Sequence, residues 1–434
     1  MEFGIIILLG NSTVAHKVIN VNRVSRKKLL VITYYWPPCG GPGSIRPVKF
    51  AKYLPEFGIE PIILTRKDIA YHSLDPELGK ELKNICVYKT ESLDPARILY
   101  CLGMRSYHPK EWQVPIKKAL NFPDNKTCWI PFVCIKGPKI DFDYIFVTAP
   151  PFSAFIAGYI ISKATGKPLI LDFRDAWLEF PFMRYENKLQ RDFVAYWEKK
   201  VAKFASHIIV ISENIKRTLI GRCPELADKI SIIPNGYDPE DFPRVPPPDK
   251  FTISYLGTIR EERNPETFLM AVQNFLRDTR FSPDEVEVKF IGYIEDNYLK
   301  MINQYPFTKV LGHLSYYEAL REFCTAHLAF ITTTGDEFFF PSRQNEYLAS
   351  GLPIICCGWS GGFRTLEQAF EKGYPGKIFA YDDITGMKGK IHEIYVQYKH
   401  NKIERADHKF PEYTRKNLTR ILAEQIHKMP RKVG

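Results

Sequence analysis

The sequence predicts an α/β protein of two parallel-sheet domains facing a cleft, on three observations. From about Lys28 onward, short apolar runs of buried-strand length alternate with segments of helical period. A proline-rich break divides that alternation into halves of similar size: Pro234-Asn235-Gly236-Tyr237-Asp238-Pro239, then Pro243 and Pro246-Pro247-Pro248. The length, 434 residues, suits two domains or three.

Taken in order, Lys28–Thr33 reads as the first buried strand, and the residues before about Arg26 as an extension outside the fold. The loop Cys39-Gly40-Gly41-Pro42-Gly43-Ser44 follows. Val48, Ala51 and Leu54 then recur at helical spacing up to Gly58, and Pro61–Thr65 is the next strand, completing a βαβ unit. Asp143–Thr148, Pro168–Asp172, His207–Ile211 and Ile230–Ile233 continue the strands, with a helix from Phe152 to Lys163. Beyond the break come Thr252–Gly257, Val286–Gly292, Leu328–Thr332 and Pro353–Cys357, and a last helix spans Thr414 to Lys428. Expected domains are therefore 27–240 and 241–410, flanked by an extension, 1–26, and a terminal helical segment, 411–434.

Composition excludes several classes. With 45% hydrophobic and 25% charged residues the chain is neither disordered nor fibrous. Nine cysteines without a CxxC pair predict free thiols rather than a disulfide framework or a zinc site. The longest apolar runs are too short to cross a bilayer, so a cytoplasmic protein is expected, peripheral to membranes if it meets them. The sequons at Asn11, Asn125 and Asn417 are then chance. Lys plus Arg exceed Asp plus Glu by 60 to 49, a net charge of +11, which favours anionic partners and is equally a solubility margin. No run of five basic residues occurs, so nucleic acid is not an expected partner.

Open parallel sheets bind ligands beyond the carboxyl ends of their strands, and the charged and glycine-rich segments fall there. Gly40 and Gly41 sit between a strand and a helix, where backbone N–H groups can approach a phosphate, although an ordinary tight turn reads the same way. Arg260 and Arg263 follow the first strand of the second half; they suit a diphosphate, or a loop paired with Glu261 and Glu262. Arg343 and Glu346 share a helix face near its start, where the carboxylate can accept two hydroxyls of a ribose or form a plain intrahelical ion pair. Asp172-Phe173-Arg174-Asp175 sets two carboxylates around an arginine at a strand end, too few oxygen ligands for a metal site. The irregular stretch Glu91–Ile140 mixes Trp112 and Trp129 with Lys110, Lys117, Lys118 and Lys126, an expected acceptor or anionic-membrane surface unless the tryptophans pack inward.

Together these stretches resemble the retaining glycosyltransferases of family 4, with two Rossmann-like domains in the GT-B arrangement, and in particular those that build bacterial surface polysaccharides. The markers are Tyr34-Tyr35-Trp36-Pro37-Pro38 with Gly40-Gly41, Leu171–Trp177, Pro234–Asp238 and Glu346–Ile354. The resemblance implies a C-terminal helix crossing back to the first domain. It also implies a nucleotide diphosphate sugar donor and a carbohydrate or lipid-linked acceptor; no cofactor is expected, and no metal, since no oxygen-ligand cluster has metal spacing and two arginines can carry the electrostatic work. By the same resemblance Gly41 lies under the donor phosphates, Arg260 and Arg263 bind the diphosphate, Glu346 holds the ribose, and Arg174 with Asp175 forms the catalytic loop. The chain departs from the family pattern at Phe338, where the first of two paired glutamates is expected, and at Arg174, where many members carry histidine. A nucleotide-sugar 2-epimerase on the same fold and a non-catalytic binding protein are the alternatives.

Overall fold

The structure is a computed structural model that describes residues 26–82, 84–106, 123–180, 185, 187–279, 283–334, 343–403, 405–406 and 410–430. The extension before Arg26, Phe338 and the residues Lys110, Trp112, Lys117 and Lys118 lie outside the described residues.

Two all-parallel sheets make up the molecule. The first contains β1 (Lys27–Ile32), β2 (Ile59–Arg66), β3 (Cys86–Thr90), β4 (Tyr144–Ala149), β5 (Leu169–Phe173), β6 (His207–Val210) and β7 (Ile230–Ile232), in the order β3-β2-β1-β4-β5-β6-β7. The second contains β8 (Phe251–Leu256), β9 (Val286–Ile291), β10 (Thr308–Gly312), β11 (Leu328–Thr333), β12 (Ile354–Gly358) and β13 (Gly376–Phe379), in the order β10-β9-β8-β11-β12-β13. Each sheet reverses its winding once, between β1 and β4 and between β8 and β11. Crevices open at such reversals, outside the strand carboxyl ends.

The central strands form where they do because every residue of β4, β5, β8, β11 and β12 is buried, as continuous apolar runs require when helices cover both faces. β3, β10 and β13 were not foreseen. All three are edge strands with mixed burial, so their sequences carry no continuous apolar run.

The helix Pro42–Tyr53 covers the first sheet, and a short helical turn carries the chain to Gly58, whose φ of 74° closes it. The C-terminal helix Arg415–Lys428 is capped by Thr414 and crosses back to the first domain. Its Leu418, Leu422 and Ile426 join the core formed by Val48, Ala51, Leu54 and Phe146. Lys27 Nζ donates to Ile426 O at 3.1 Å, and Tyr144 Oη to Met429 O at 3.0 Å.

Within Glu91–Ile140 the described tryptophan packs inward. Trp129 is fully buried, its Nε1 donates to Thr90 Oγ1 at 2.8 Å, and Tyr34 meets it edge-on at 5.4 Å. Lys126 is buried on Asp94 at 3.3 Å. Neither is available to a membrane or an acceptor, because both complete a buried polar group that this segment brings to the first sheet.

The two aspartates around Arg174 also part company. Asp172 faces inward to Arg46, which sits 2.8 Å away on the first helix, and both side chains are almost wholly buried. Thr148 Oγ1 donates to the same carboxylate at 2.8 Å. Arg46 further donates to Pro234 O at 2.8 Å and Ile233 O at 2.9 Å, so one guanidinium joins helix, strand and hinge. Asp172→Ala leaves a buried, unpaired guanidinium, and a loss of about 3–5 kcal/mol is expected in urea unfolding. A loss below about 1 kcal/mol, the range of exposed ion pairs, would show that Arg46 finds other compensation.

Candidate active site

The reversals of the two sheets face each other across a cleft of about 450 Å³. Tyr35, Pro42 and Gly43 after β1, Pro150 after β4 and Arg174, Asp175 and Glu179 after β5 form one wall. Tyr255 to Thr258, Arg260 and Arg263 after β8, with Arg343 to Asn345, form the other, and Pro234 and Asn235 of the hinge lie between.

The second-domain wall is cationic. Arg260 and Arg263 lie on a tight turn directly after β8, and Arg343 stands at the N-terminal end of the short helix Gln344–Ser350. All three are half-buried and line the cleft. Burial lowers the pKa of Arg260, and the neighbouring Arg263 lowers it further, while Glu262 opposes them from 3.5 Å. Their placement follows from Tyr255 and Tyr347. The buried Tyr255 Oη donates to Thr258 O at 3.1 Å, fixing the arginine turn. Tyr347 Oη donates to Phe330 O at 2.9 Å and accepts from Leu256 N at 2.8 Å, pinning the Gln344–Ser350 helix to β8 and β11.

The first-domain wall is acidic at its mouth. Asp175 lines the cleft half-buried, and desolvation raises its carboxyl to about 6 against the opposing pull of Arg174. Glu179 is paired with Arg222 through one oxygen. Arg174 itself is buried. Its Nε donates to Ala149 O at 3.2 Å, one terminal nitrogen to Gly43 O at 2.7 Å and the other to Pro150 O. The guanidinium therefore clamps the β1–helix loop to the end of β4, immediately beside Asp175.

Gly40 and Gly41 separate. Gly40 N donates to Ser73 O at 2.9 Å, and a Cβ on Gly40 would stand 2.6 Å from Ser73 Oγ, so this glycine serves packing against the 73–75 loop. Gly41 has φ +85° and nothing within 4 Å of where its Cβ would be. It opens the twelve-residue helix Pro42–Tyr53, whose N-terminal residues Pro42 and Gly43 line the cleft.

Glu346 is buried, next in sequence to the lining residues Arg343 to Asn345 and not itself among those lining the cleft. Desolvation raises its pKa, and the fields of Arg343 and Arg415 oppose the shift. Its Oε2 and the Nη1 of Arg343 are both buried, with no hydrogen-bond partner among the described residues.

Three residues of the site have weaker sequence signals. Asn345 Nδ2 donates to Asn235 O and closes the cleft floor between the domains. Asn235 stood in the hinge motif, where it reads only as turn chemistry. Glu179 lies four residues beyond Asp175 in an otherwise apolar stretch. The one cluster of three carboxylates with metal-like spacing among the described residues is Glu81, Asp238 and Asp241, outside the cleft. Lys49 Nζ occupies its centre at 2.7, 2.8 and 2.9 Å from the three.

The cationic wall generates a selective expectation. Arg263→Ala should weaken binding of a nucleoside diphosphate about tenfold or more, as loss of a charge-assisted hydrogen bond implies, and leave the free nucleoside nearly unaffected. Equal losses for both ligands in calorimetry would remove Arg263 from the diphosphate.

Residues 48–241 match the family model described as Glycosyltransferase Family 4. No curated protein matches the chain in sequence. Among solved structures it resembles HepE of Anabaena in complex with UDP and glucose, 14% identical over 93% of this chain and 100% of that one, with a TM-score of 0.63. It also resembles sucrose-phosphate synthase from Thermosynechococcus elongatus, 14% identical over 93% and 98% of the two chains, TM-score 0.61. A protein assigned as a UDP-N-acetylglucosamine 2-epimerase from Listeria monocytogenes shares the fold at 10% identity over 94% and 98%, TM-score 0.55. These likenesses concern the fold. Over residues 48–241, on this two-sheet framework, the chain is similar to the glycosyltransferases of family 4.

Proposed function

We propose that the chain transfers a hexosyl group from a nucleotide diphosphate sugar to an acceptor hydroxyl, with retention of anomeric configuration, in the synthesis of a cell-surface polysaccharide or glycolipid. The observation that carries this reading is the cleft's polarity: Arg260, Arg263 and Arg343 on one wall, Asp175 on the other. HepE, which shares the fold, has been captured with UDP and glucose.

On this reading the donor's diphosphate lies against the three arginines and the open backbone at Gly41. Negative charge develops on the leaving diphosphate as the glycosidic C–O bond breaks, and preorganised guanidinium groups stabilise it without a metal ion. Glu346, with its uncommitted buried oxygen, accepts hydroxyls of the ribose. The acceptor enters from the first-domain wall, and Asp175 takes its proton as the new C–O bond forms on the face the diphosphate leaves. Arg174 is a positioning residue: its guanidinium is spent on three backbone carbonyls and holds the Asp175 loop.

Incubation with labelled nucleotide sugars and a polysaccharide or lipid-linked acceptor tests the reading. Label transferred to acceptor, with release of nucleoside diphosphate and persistence in EDTA, is expected. A sugar altered at C2 without transfer identifies an epimerase, and binding without turnover a non-catalytic protein.

Asp175 gives the reaction a pH signature. It must be ionised to accept a proton, so kcat/KM should rise as pH increases through about 6 and level off above. Asp175→Asn should lower kcat about 10²–10⁴-fold. A wild-type profile flat from pH 5 to 7 would remove Asp175 from proton transfer.

A further inference from the structure

The helix Lys188–Phe204 buries Val194, Glu198, Val201 and Ala202 against its domain. At about 100° per residue, Leu189, Phe193, Tyr196, Lys200 and Phe204 fall on the opposite side. Leu189 is 80% exposed, Tyr196 56%, Phe193 41% and Phe204 38%. The neighbouring helix Ser153–Thr165 widens this face: Ile160 is exposed, and the Tyr159 ring lies 4.8 Å from Phe204 and 6.0 Å from Trp197. An outward aromatic stripe several turns long is not what a free monomer surface carries without a partner.

Cations are woven through it. Lys200 Nζ stands 4.8 Å from the Trp197 ring and 4.9 Å from that of Tyr196, and Lys163 Nζ 5.8 Å from Tyr159. Arg191, Lys199 and Lys203 are exposed on the same helix. Its two acidic residues are Asp192 and Glu198, and Glu198 is buried on Arg222. A second copy meeting this face about a two-fold axis would set lysine against lysine. An anionic lipid surface accommodates both features, with aromatic and aliphatic side chains at headgroup depth and ammonium groups among the phosphates.

We infer that the face formed by Leu189, Phe193, Tyr196, Lys200 and Phe204 is a docking surface for an anionic lipid bilayer. The helix is tied to the cleft, since Glu198 Oε2 accepts from Leu178 N at 3.1 Å, three residues after Asp175. A bilayer at this face would hold lipid-linked hydroxyls against the first domain, whose segment after β5 lines the cleft. That last step rests on the sugar-transfer reading; the lipid contact does not.

Co-sedimentation of the full chain with phosphatidylglycerol–phosphatidylcholine vesicles tests the surface, with phosphatidylcholine vesicles as control. Binding to the anionic vesicles at low salt, weakened by high salt, is expected. Leu189→Ser with Phe193→Ser, and separately Lys199→Glu with Lys200→Glu, should each lower partition at least about tenfold while nucleoside diphosphate binding is unchanged. The lysine pair lies on the solvent side and keeps the test decisive if the serine pair does not fold. No binding by the wild type, undiminished binding by the folded variants, or a wild-type dimer that the lysine changes dissolve would each overturn the proposal. Vesicle binding without any nucleotide binding would instead overturn the reading of the cleft and leave the surface standing.

Discussion

The first-domain wall of the cleft and the start of the hinge hang on Arg46. Its guanidinium meets Asp172 at the end of β5, Ile233 O and Pro234 O at the start of the hinge, and its own helix carries Pro42 and Gly43. Three separate contributors to the cleft thus share one fixed point, buried where water cannot substitute for a missing partner. Such a pair contributes little net stability over an apolar replacement of the same shape. Its value is directional: hydrophobic contacts would hold these segments together, but only a forked, fully committed donor set fixes their relative orientation.

Lys49, three residues along the same helix, extends the constraint to the second domain. Burial works against its charge, yet Asp238, Asp241 and Glu81 outweigh burial and raise its pKa. Two of those carboxylates also receive tyrosine hydroxyls from the second domain, Asp241 from Tyr316 at 3.0 Å and Glu81 from Tyr317. Asp75 accepts from Tyr316 N at 2.7 Å, and His313 meets Ser73 at 2.8 Å. The domains are therefore joined by polar groups at this edge. Apolar contacts run beside them, since Val48, Leu54 and Leu78 share one core cluster with Tyr316, Leu320 and Phe323.

The legible part of the fold was the part whose physics is local. Central strands such as β4 and β11 are buried on both faces and announce themselves as unbroken apolar runs. Edge strands such as β3 and β10 have one partner each, and their alternation is too weak to distinguish from loop. The C-terminal helix was readable from its Thr414 cap and its period. The Arg46–Asp172 pair was not, because it joins residues 126 positions apart and nothing in the sequence around Arg46 points to Asp172. The same limit affected Arg174 and Trp129. Each was noticed for its chemistry, but a sequence does not show which carbonyls or hydroxyls a buried donor will find.

Hydrogen-bond satisfaction draws the distinction that residue type cannot. Arg46 and Arg174 are arginines at strand ends or helix starts, as are Arg260, Arg263 and Arg343. The first two direct their donors to carboxylate and carbonyl oxygens of the first domain and act as fixed struts. Arg343 retains a buried Nη1 without a partner among the described residues, and Glu346 an Oε2 in the same condition, although the two carry opposite charges one helical turn apart. Buried polar atoms are nearly always paired in folded proteins, because desolvation without a partner costs about 1–3 kcal/mol each. Such atoms cluster at Arg343 and Glu346 on the cleft edge, and they also occur in the first domain, at Arg66, Trp177 and Glu179. What separates Arg46 and Arg174 from Arg343 is therefore the fate of each donor: the first two spend theirs on fixed oxygens of the fold, and Arg343 keeps one at the cleft edge.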